Sequence, residues 1–460
     1  MNRTIIKALS RYFILFFFAL PSLHGYGFAA EEDITKGKRR VAVYPFEINS
    51  PEKRDAFLSS AFPETLTSAL SQVRALILLE RGELKKLLEE QKLGQTGIID
   101  PETAVKTGKI LGAETAVLGS FNRIGSKVRA TCRLVDVGTS EVDKTHIIKV
   151  YRELSKEEEL FDLMEELANT LIKSFEVDVT PEEIKQVSFR TEPTKNYSAY
   201  EYYIEGREKM LLFDMEGYEQ AVPLFQKAIE ADSKYALAYA ALSETYYYLG
   251  YQEEQLGGEF QTYYDLCYEN AKKAVKLRPN LSESHRAMAA AYAGGGKRRD
   301  PKIRQQEAQK AVDLNPNDSE SYFVLWLASG GNPDDKRIKR ALTLNPRFTA
   351  AYLQLGLSLY LKGLYDEAIL NWRKALEINP RNSIAYSNIG DALEKKGLYD
   401  EAILNLKKAL EINSRNSDAY NSMGDALHMK GDIEGASDAW RKACDLGYQP
   451  GCDNLKKFGQ

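Results

Sequence analysis

The stretch GLYDEAILNWRKALEINPRN at residues 363–382 recurs 34 residues later, at residues 397–416, as GLYDEAILNLKKALEINSRN. The same step continues outside this pair. It links Tyr352, Tyr386 and Tyr420, then Gly356, Gly390 and Gly424, and then Ala375, Ala409 and Ala443. A fixed period of 34 residues with small residues at set positions is typical of a helix–turn–helix repeat. One such hairpin cannot bury its own apolar face, so we expect the units to stack into a solenoid.

Each unit carries the signals that start and stop two helices. Gly356 has no side chain, so a neighbouring helix can approach closely at that turn of the first helix. Gly363 ends this helix, and Asp366 places a negative charge at the start of the second, where the helix dipole favours it. Trp372 is the large apolar side chain of the second helix, and Pro380 stops it.

These columns resemble the tetratricopeptide repeat (TPR). The resemblance implies an all-α superhelical solenoid over residues 198–460, with about seven units that are degenerate at first and regular at 349–449. It also implies a concave groove, lined by the first helix of each unit, that binds a protein or peptide. The family's basic clamp for a terminal carboxylate is absent, because Lys and Arg are missing from most groove positions.

The groove positions of the family can be carried onto the last three units. They are Leu353, Gln354, Leu357, Ser387, Asn388, Asp391, Glu394, Asn421, Ser422, Asp425 and His428. Their amide groups can hydrogen-bond an extended peptide backbone, and Asp391 with Asp425 would favour a basic ligand. The alternative is that the same residues form only a solvated face.

The C-terminal end departs from the regular repeat. In KACDLGYQPGCDNLKK, Cys444 and Cys452 stand eight residues apart across a turn that contains glycine. This arrangement resembles the cysteine-pair ending of Sel1-like repeats, which implies a disulfide bond in an exported protein. The alternative is a pair of free thiols. Cys132 and Cys267 are expected to be small core residues.

Composition limits the classes of function. The chain has 460 residues, 43% of them hydrophobic and 28% charged, with a formal net charge of −4, which gives no long-range attraction for nucleic acid. His146, His285 and His428 are far apart in sequence, and there is no HExxH, CxxC or GxSxG pattern. We therefore predict no metal, no cofactor and no enzymatic activity.

The first 29 residues read as a signal peptide. Arg3, Lys7 and Arg11 precede the apolar run YFILFFFAL at residues 12–20, and small residues at 27 and 29 suit a cleavage site. The apolar run is about half of the ~20 residues that a spanning helix needs, which favours cleavage over the alternative of a retained anchor. The mature protein is expected to be soluble in a bacterial periplasm.

Residues 39–176 alternate strand and helix patterns. The expected order β-α-β-α-α-β-β-β-α predicts an α/β domain in which a mixed sheet carries helices. The expected strands are VAVYPFE (41–47), LILLE (76–80), ETAVLGSF (114–121), KVRATCRLVDV (127–137) and THIIKVYR (145–152). Helices are expected at 55–73, 81–93, 100–111 and 156–175.

This region resembles the CsgG/TolB-N-like domain, a group that includes FlgO-like and LpoB-like envelope proteins. The matching pieces are LER at 79–81, EQ at 90–91, KILGA at 109–113, GS at 119–120 and RLVD at 133–136. The resemblance implies an envelope protein that binds or assembles other envelope proteins. There is no lipidated cysteine, and the hairpins around Gly125 and Gly138 are short and charged. Of the functions that the resemblance implies, a membrane pore is therefore the less favoured.

Residues 177–197 contain two prolines and the polar run TEPTKN, which predicts a linker between the two domains. The whole chain is then expected to be a non-enzymatic periplasmic adaptor for cell-envelope assembly. Its partners would be envelope proteins or peptide segments, and it would associate with the outer membrane through them. The alternative is a component or regulator of a CsgG-like outer-membrane secretion complex, self-associating through the N-terminal domain. An enzyme acting on peptidoglycan is the third class, and it lacks a candidate catalytic group.

Overall fold

The computed structural model describes residues 37–90, 99–139, 142–191, 193–211, 215–256, 259–294 and 297–459. The signal peptide predicted at residues 1–29 lies outside them. The chain divides into two compact bodies. Among the described residues, the first body contains those up to 328 and 343–346, and the second contains 329–342 and 347–459. No described helix is both long and apolar enough to span a bilayer.

The first body begins with a six-stranded sheet. Its strands are β1 (Arg39–Val43), β2 (Glu47–Asn49), β3 (Leu76–Leu78), β4 (Thr115–Ile124), β5 (Lys127–Asp136) and β6 (Val142–Glu153). The sheet is mixed, as the sequence predicts, but the single strand expected at 41–47 is two strands, β1 and β2. The order is β3-β1-β4-β5-β6, with β2 also paired to β4. β1 runs parallel to β3 and β4, while β4, β5 and β6 are antiparallel.

Four helices cover the two faces of this sheet. They are α1 (Leu58–Leu70), α2 (Arg81–Glu90), α3 (Pro101–Leu111) and α4 (Glu159–Ser174). Side chains alternate along a strand, so Val41 and Val43 face the core of α1 and α4, whereas Ala42 and Tyr44 face that of α2 and α3. Asp100 caps α3 by accepting a hydrogen bond from the backbone N–H of Thr103.

The predicted linker at residues 177–197 contains a packed helix instead. α5 (Pro181–Thr191) packs against α1 and α4, and Val187 is fully buried. Its start is a capping box: the Glu183 carboxylate accepts from the N–H of Thr180 at 2.7 Å, and the Thr180 hydroxyl accepts from the N–H of Glu183 at 3.3 Å. Because Pro181 stands in the first turn, it favours a helix start here rather than a flexible segment.

Helical repeats follow directly within the first body. They are α6 (Tyr197–Met210), α7 (Met215–Ala231), α8 (Ala236–Leu256), α9 (Gln261–Leu277), α10 (Ser282–Ala291), α11 (Pro301–Leu314) and α12 (Ser319–Ala328). One hydrophobic core runs without a break from Val41 in the sheet through Phe225 in α7 to Ala291 in α10. The α/β domain and the first repeats are therefore fused.

The second body holds the regular repeats. Its helices are α13 (Lys336–Leu344), α14 (Thr349–Leu361), α15 (Tyr365–Ile378), α16 (Ser383–Lys395), α17 (Tyr399–Ile412), α18 (Ser417–Met429), α19 (Ile433–Asp445) and α20 (Gln449–Phe458). The last two residues of α13 lie outside the limits of the second body. The turn glycines Gly363, Gly397 and Gly431 have positive φ angles of 78°, 76° and 86°, which residues with side chains rarely adopt. Asn382 and Asn416 cap α16 and α18.

Glycine in the first helix lies directly against the large side chain of the second. A Cβ added to Gly356 would lie 2.4 Å from Nε1 of Trp372, and one on Gly390 would lie 2.5 Å from Cγ of Leu406. The indole N–H of Trp372 also donates to the Leu353 carbonyl at 3.0 Å, which fixes the ring in place. The close approach expected at Gly356 is confirmed.

We expect Gly356→Ala to lower the free energy of unfolding of the second body by about 2 kcal/mol, a typical cost of overpacking. Gly390→Ala should cost less, about 1 kcal/mol, because a leucine side chain moves more easily than a hydrogen-bonded indole. Urea unfolding of the two variants beside the wild type measures both values. If Gly356→Ala is neutral or stabilising, as helix propensity alone predicts, this packing account is wrong.

Candidate functional site

In the first body, the chain's own α/β domain covers the first repeat helix. The hydroxyl of Tyr200 in α6 donates to the carbonyl of Ala61 in α1 at 3.1 Å and also pairs with Thr65. Its ring meets Phe161 of α4 edge-on, with centroids 5.2 Å apart. Arg207 of α6 pairs with Glu64 of α1 at 3.3 Å. This helix face is therefore unavailable to another protein.

The same domain also contacts the residues leading into α12. The Asn317 side-chain amide donates to the carbonyl of Val73 at 3.0 Å, and the Ser319 hydroxyl donates to Glu80 at 3.0 Å. Burial raises the pKa of Glu80 to about 8, and the negative charges of Glu320 and Asp318 add to this effect. Glu244, Asp318 and Glu320 share one arginine partner. With Glu80, four acidic groups therefore lie together where the α/β domain contacts the repeats.

Arg286 of α10 is that partner. Its guanidinium lies 2.7 Å from a carboxylate oxygen of Glu244, 2.7 Å from one of Asp318 and 2.9 Å from one of Glu320. Arg286 is itself buried, and these carboxylates hold its pKa well above the usual range despite burial. The network joins three repeat helices next to the α/β domain, so it serves the architecture of the first body.

In the second body, the first helices of successive units lie side by side. α14 contacts α16, α16 contacts α18, and α18 contacts α20. The groove residues predicted from the sequence lie on three of these neighbouring helices, α14, α16 and α18. Ser387 is buried, and the other ten predicted residues are half-buried.

The last unit uses its predicted groove residues to hold α20. The Asp425 carboxylate accepts from the Trp440 indole at 2.8 Å and from the Asn454 amide at 2.9 Å. Asn454 also donates to Asn421 at 3.2 Å, and the His428 ring lies 4.8 Å from that of Phe458. Asn421, Asp425 and His428 therefore stabilise the packing of the last helix, which the sequence analysis did not predict. The number of hydrogen bonds on Asp425 leaves it little capacity for a ligand.

Asp391 in α16 is different. Its Oδ1 atom is buried and has no hydrogen-bond partner in the part of the chain that the structure describes. Burial raises the pKa of this carboxyl to about 7, the negative charges of Asp418 and Glu394 add to the rise, and a hydrogen bond with Ser422 opposes it. A carboxylate oxygen left unpaired in this way is set up to accept a hydrogen bond from a bound cationic or amide group.

Two neighbours complete this centre. Glu394 lies one turn further along α16, with only 15% of its side chain exposed, and it pairs with Lys395 at 3.3 Å. Tyr360 lies at the end of α14. Burial raises the pKa of its phenol, and the negative charges of Asp391 and Glu394 raise it further. We call Tyr360, Asn388, Asp391, Glu394 and Ser422 the acidic groove.

Tyr360 is the member that the sequence reasoning missed. The helical spacing places it on the apolar packing face with Tyr352, and its ring does lie 6.0 Å from that of Trp372. Only the neighbouring unit shows that the side chain also lies beside Asp391 and Glu394. No signal within its own repeat reveals this.

The C-terminal cysteines lie close together. Cα of Cys444 and Cα of Cys452 are 4.6 Å apart, and their sulfur atoms are joined across the turn at Gly447, between α19 and α20. Cys132 and Cys267 are buried, and burial raises the pKa of the Cys267 thiol to about 12. In the described ranges, no three His, Cys, Asp or Glu side chains converge on a metal-sized site.

Family models match two parts of the chain. Residues 26–150 match the curli production assembly/transport component CsgG, and residues 356–397 and 395–431 match the TPR repeat. The chain thus carries a CsgG-type domain followed by TPR repeats. Both are domain types of a protein-interaction scaffold and are not typically catalytic.

Individual relatives are distant. A putative adenylate cyclase 3 of Rhizobium meliloti (strain 1021) is 23% identical over 208 residues, which are 45% of this chain and 32% of that protein. The chain thus spans about a third of the length of that relative. YrrB, a TPR protein with an unusual peptide-binding site, is 19% identical, with 50% of this chain and 97% of that chain covered and a TM-score of 0.26. The first TPR domain of human RPAP3 is 22% identical, covers 25% of this chain and 93% of its own, and has a TM-score of 0.24.

Proposed function

We propose that this protein is a non-enzymatic periplasmic adaptor in cell-envelope assembly, and that its acidic groove binds a basic peptide segment of an envelope protein. The observation that carries the proposal is the unpaired buried Oδ1 of Asp391. A lysine or arginine side chain of the bound peptide donates the missing hydrogen bond to Asp391. Its positive charge also offsets the negative charges of Asp391 and Glu394. The CsgG-type domain supports an association with the envelope.

An extended peptide fits the remaining groove chemistry. Asn388, one turn before Asp391 on α16, carries an amide that both donates and accepts, which suits the alternating N–H and C=O groups of a peptide backbone. Leu353 and Leu357 on α14 are half-buried and offer apolar contact. The groove thus combines one charged anchor with backbone and apolar contacts, the usual composition of a peptide site.

The first body has a different task in this proposal. The α/β domain covers the repeat helix α6, so a peptide cannot use that face while the first body stays intact. Recruitment would therefore fall to the second body, and the first body would dock on an envelope assembly.

Affinity capture tests the proposal. Full-length protein is used to capture partners from envelope extracts, and the bound fraction is challenged with a short Lys/Arg-containing peptide or with its Glu-containing counterpart. We expect the basic peptide alone to release an envelope protein, and raised salt to weaken its capture. Release by both peptides, or by neither, would contradict binding through the acidic groove.

The alternative function is a component or regulator of a CsgG-like outer-membrane secretion or assembly complex. The family match at residues 26–150 favours it, because that model describes a transport component. Self-association through the N-terminal domain would be central to such a role. Light scattering on the full-length protein separates the two functions, since a ring is a large oligomer and an adaptor need not be.

The proposed export predicts which of the four cysteines form a disulfide bond. If the protein matures in an oxidising compartment, Cys444 and Cys452 are joined in the native protein, whereas Cys132 and Cys267 remain thiols. Alkylation of denatured protein, isolated from its own cells, should then modify only Cys132 and Cys267 before reduction and all four cysteines after it. Modification of all four without reduction would argue against both the bond and the export.

A further inference from the structure

Part of one face of the sheet in the first body is exposed. On this face α2 and α3 pack over Leu118 and Val135, which are buried. Towards the edge strand β6, side chains on the same face are exposed, among them Tyr151, with 61% of its surface. The open face consists of Ser120 and Asn122 of β4, Arg129, Thr131 and Arg133 of β5, and Ile147, Lys149 and Tyr151 of β6.

The strand register brings three cations together on the open face. Lys149 is the partner of Thr131 across the β5–β6 pair, and Arg129 and Arg133 stand two residues before and after Thr131. Diagonal neighbours in an antiparallel pair lie about 7–8 Å apart, so Lys149 is close to both arginines. The two arginines are separated by four residues of one strand, which is about 13 Å. Arg129, Arg133 and Lys149 therefore form a compact cluster of positive charge.

Arginines on the opposite face of the same strands are paired with carboxylates. Arg152 of β6 lies 3.1 Å from Glu166 of α4, and Arg123 of β4 pairs with two acidic side chains at 2.8 Å each. Among the residues that the structure describes, none forms an ion pair or a side-chain hydrogen bond with the three cations of the open face. Because these like charges repel one another, an acidic ligand that lies over them is favoured.

The borders of the open face favour a narrow acidic segment over an anionic membrane. Glu47 of β2 is the register partner of Ser120 on one side, and Glu153 ends β6 on the other. A membrane would cover the whole face, so its negative surface would approach both carboxylates and be repelled. An extended segment is narrow enough to cross the cations alone. Acidic residues at alternate positions of such a segment stand about 6.6 Å apart on one side, which is close to the spacing of the cations.

We propose that the open face docks an extended acidic segment of a partner protein. The guanidinium groups of Arg129 and Arg133 and the ammonium group of Lys149 pair with its carboxylates, and the planar guanidinium suits a carboxylate especially well. The ring of Tyr151 offers apolar contact beside them. The inference rests on the docking role proposed for the first body, and it uses none of the residues of the acidic groove, which takes a segment of opposite charge.

Binding of a labelled peptide to the full-length protein tests the proposal. The peptide carries glutamate at alternate positions, and fluorescence anisotropy follows its binding beside that of a counterpart with lysine at the same positions. We expect the glutamate peptide to bind saturably and to bind more weakly as salt is raised. Co-sedimentation with phosphatidylglycerol vesicles, compared with neutral phosphatidylcholine vesicles, tests the membrane instead. No binding of the glutamate peptide, or a preference for the anionic vesicles, overturns the proposal.

Variants locate the site. Lys149→Glu places a carboxylate diagonal to both arginines and should weaken binding of the glutamate peptide by roughly tenfold or more. Arg133→Glu, at a second exposed position of the open face, should weaken it as well. The matched control is Lys173→Glu, the same change at an exposed position of α4 on the other side of the sheet, and it should bind as the wild type does.

The lysine peptide reports on the acidic groove, and its binding should not change in any of these variants, so the two proposals can fail separately. Unchanged binding of the glutamate peptide in both variants of the open face, or an equal loss in the control, contradicts docking at this face.

Discussion

Arg286→Met is expected to lower the free energy of unfolding of the first body by about 3–5 kcal/mol, the cost of removing one partner from a buried ion network. The change removes the arginine that Glu244, Asp318 and Glu320 share and leaves their negative charges close together. Glu80, whose pKa is already raised to about 8, loses the favourable charge of Arg286 as well. Methionine fills a similar space, so the loss is electrostatic rather than a cavity.

Hydrogen exchange of peptides from α8 and α10 measures this effect in the first body without contributions from the second. Burial raises the pKa of Glu80 to about 8 and also raises the pKa of Glu320, and the variant removes the Arg286 charge that opposes both rises. The folded state then binds more protons, and stability falls as pH rises through that window. The variant should therefore lose more stability at pH 8 than at pH 5. Arg54→Met removes a paired arginine of the first body whose side chain is 51% exposed and should cost less than about 1 kcal/mol. A similar cost for both variants would mean that the network contributes little.

Asp391→Lys is expected to weaken the binding of a basic peptide to the acidic groove by about a hundredfold or more. The change replaces the attraction between Asp391 and the peptide with repulsion between like charges in a half-buried site. Glu394 remains and pairs with the new lysine, so the variant also loses the second acidic group as an anchor. Fluorescence anisotropy, with a basic peptide taken from a captured partner, measures the change.

The matched control is Glu411→Lys, which makes the same change of charge at an exposed position of α17 and should bind as the wild type does. The pH dependence gives a second check. The carboxyl of Asp391 has a pKa of about 7, and a bound cation favours its charged form, so affinity should rise as pH rises through 7. Asp391→Asn should lose that dependence. A wild-type affinity independent of pH would remove Asp391 from the site.

The repeats and the sheet were within reach of the sequence because each depends on local patterns. Near-identical copies fix the second body, and Gly356 with Trp372 shows that even a helix contact can be inferred from residue size. Residues 177–197 were not predicted correctly, since proline and polar residues suit both a linker and the start of a helix. What decides between them is the burial of Val187, and that depends on distant parts of the chain.

The candidate site was predictable only in part. The repeat register predicts that position 391 lies in the groove, because the same helix position can be located in each unit. The acidic side chain at that position is read directly from the sequence. The engagement of Asn421, Asp425 and His428 does not follow, since it depends on Asn454 and Phe458 in a final helix that departs from the repeat.

Photo-cross-linking in living cells tests the adaptor proposal most directly. A cross-linking amino acid replaces Asn388 in the acidic groove of the full-length protein, and in a second version it replaces Glu411 on the outer helix. We predict that position 388 captures a specific envelope protein and that position 411 does not. If both positions capture the same protein, or if position 388 yields only further copies of this chain, the groove is not the binding site and the secretion-complex function becomes the better account.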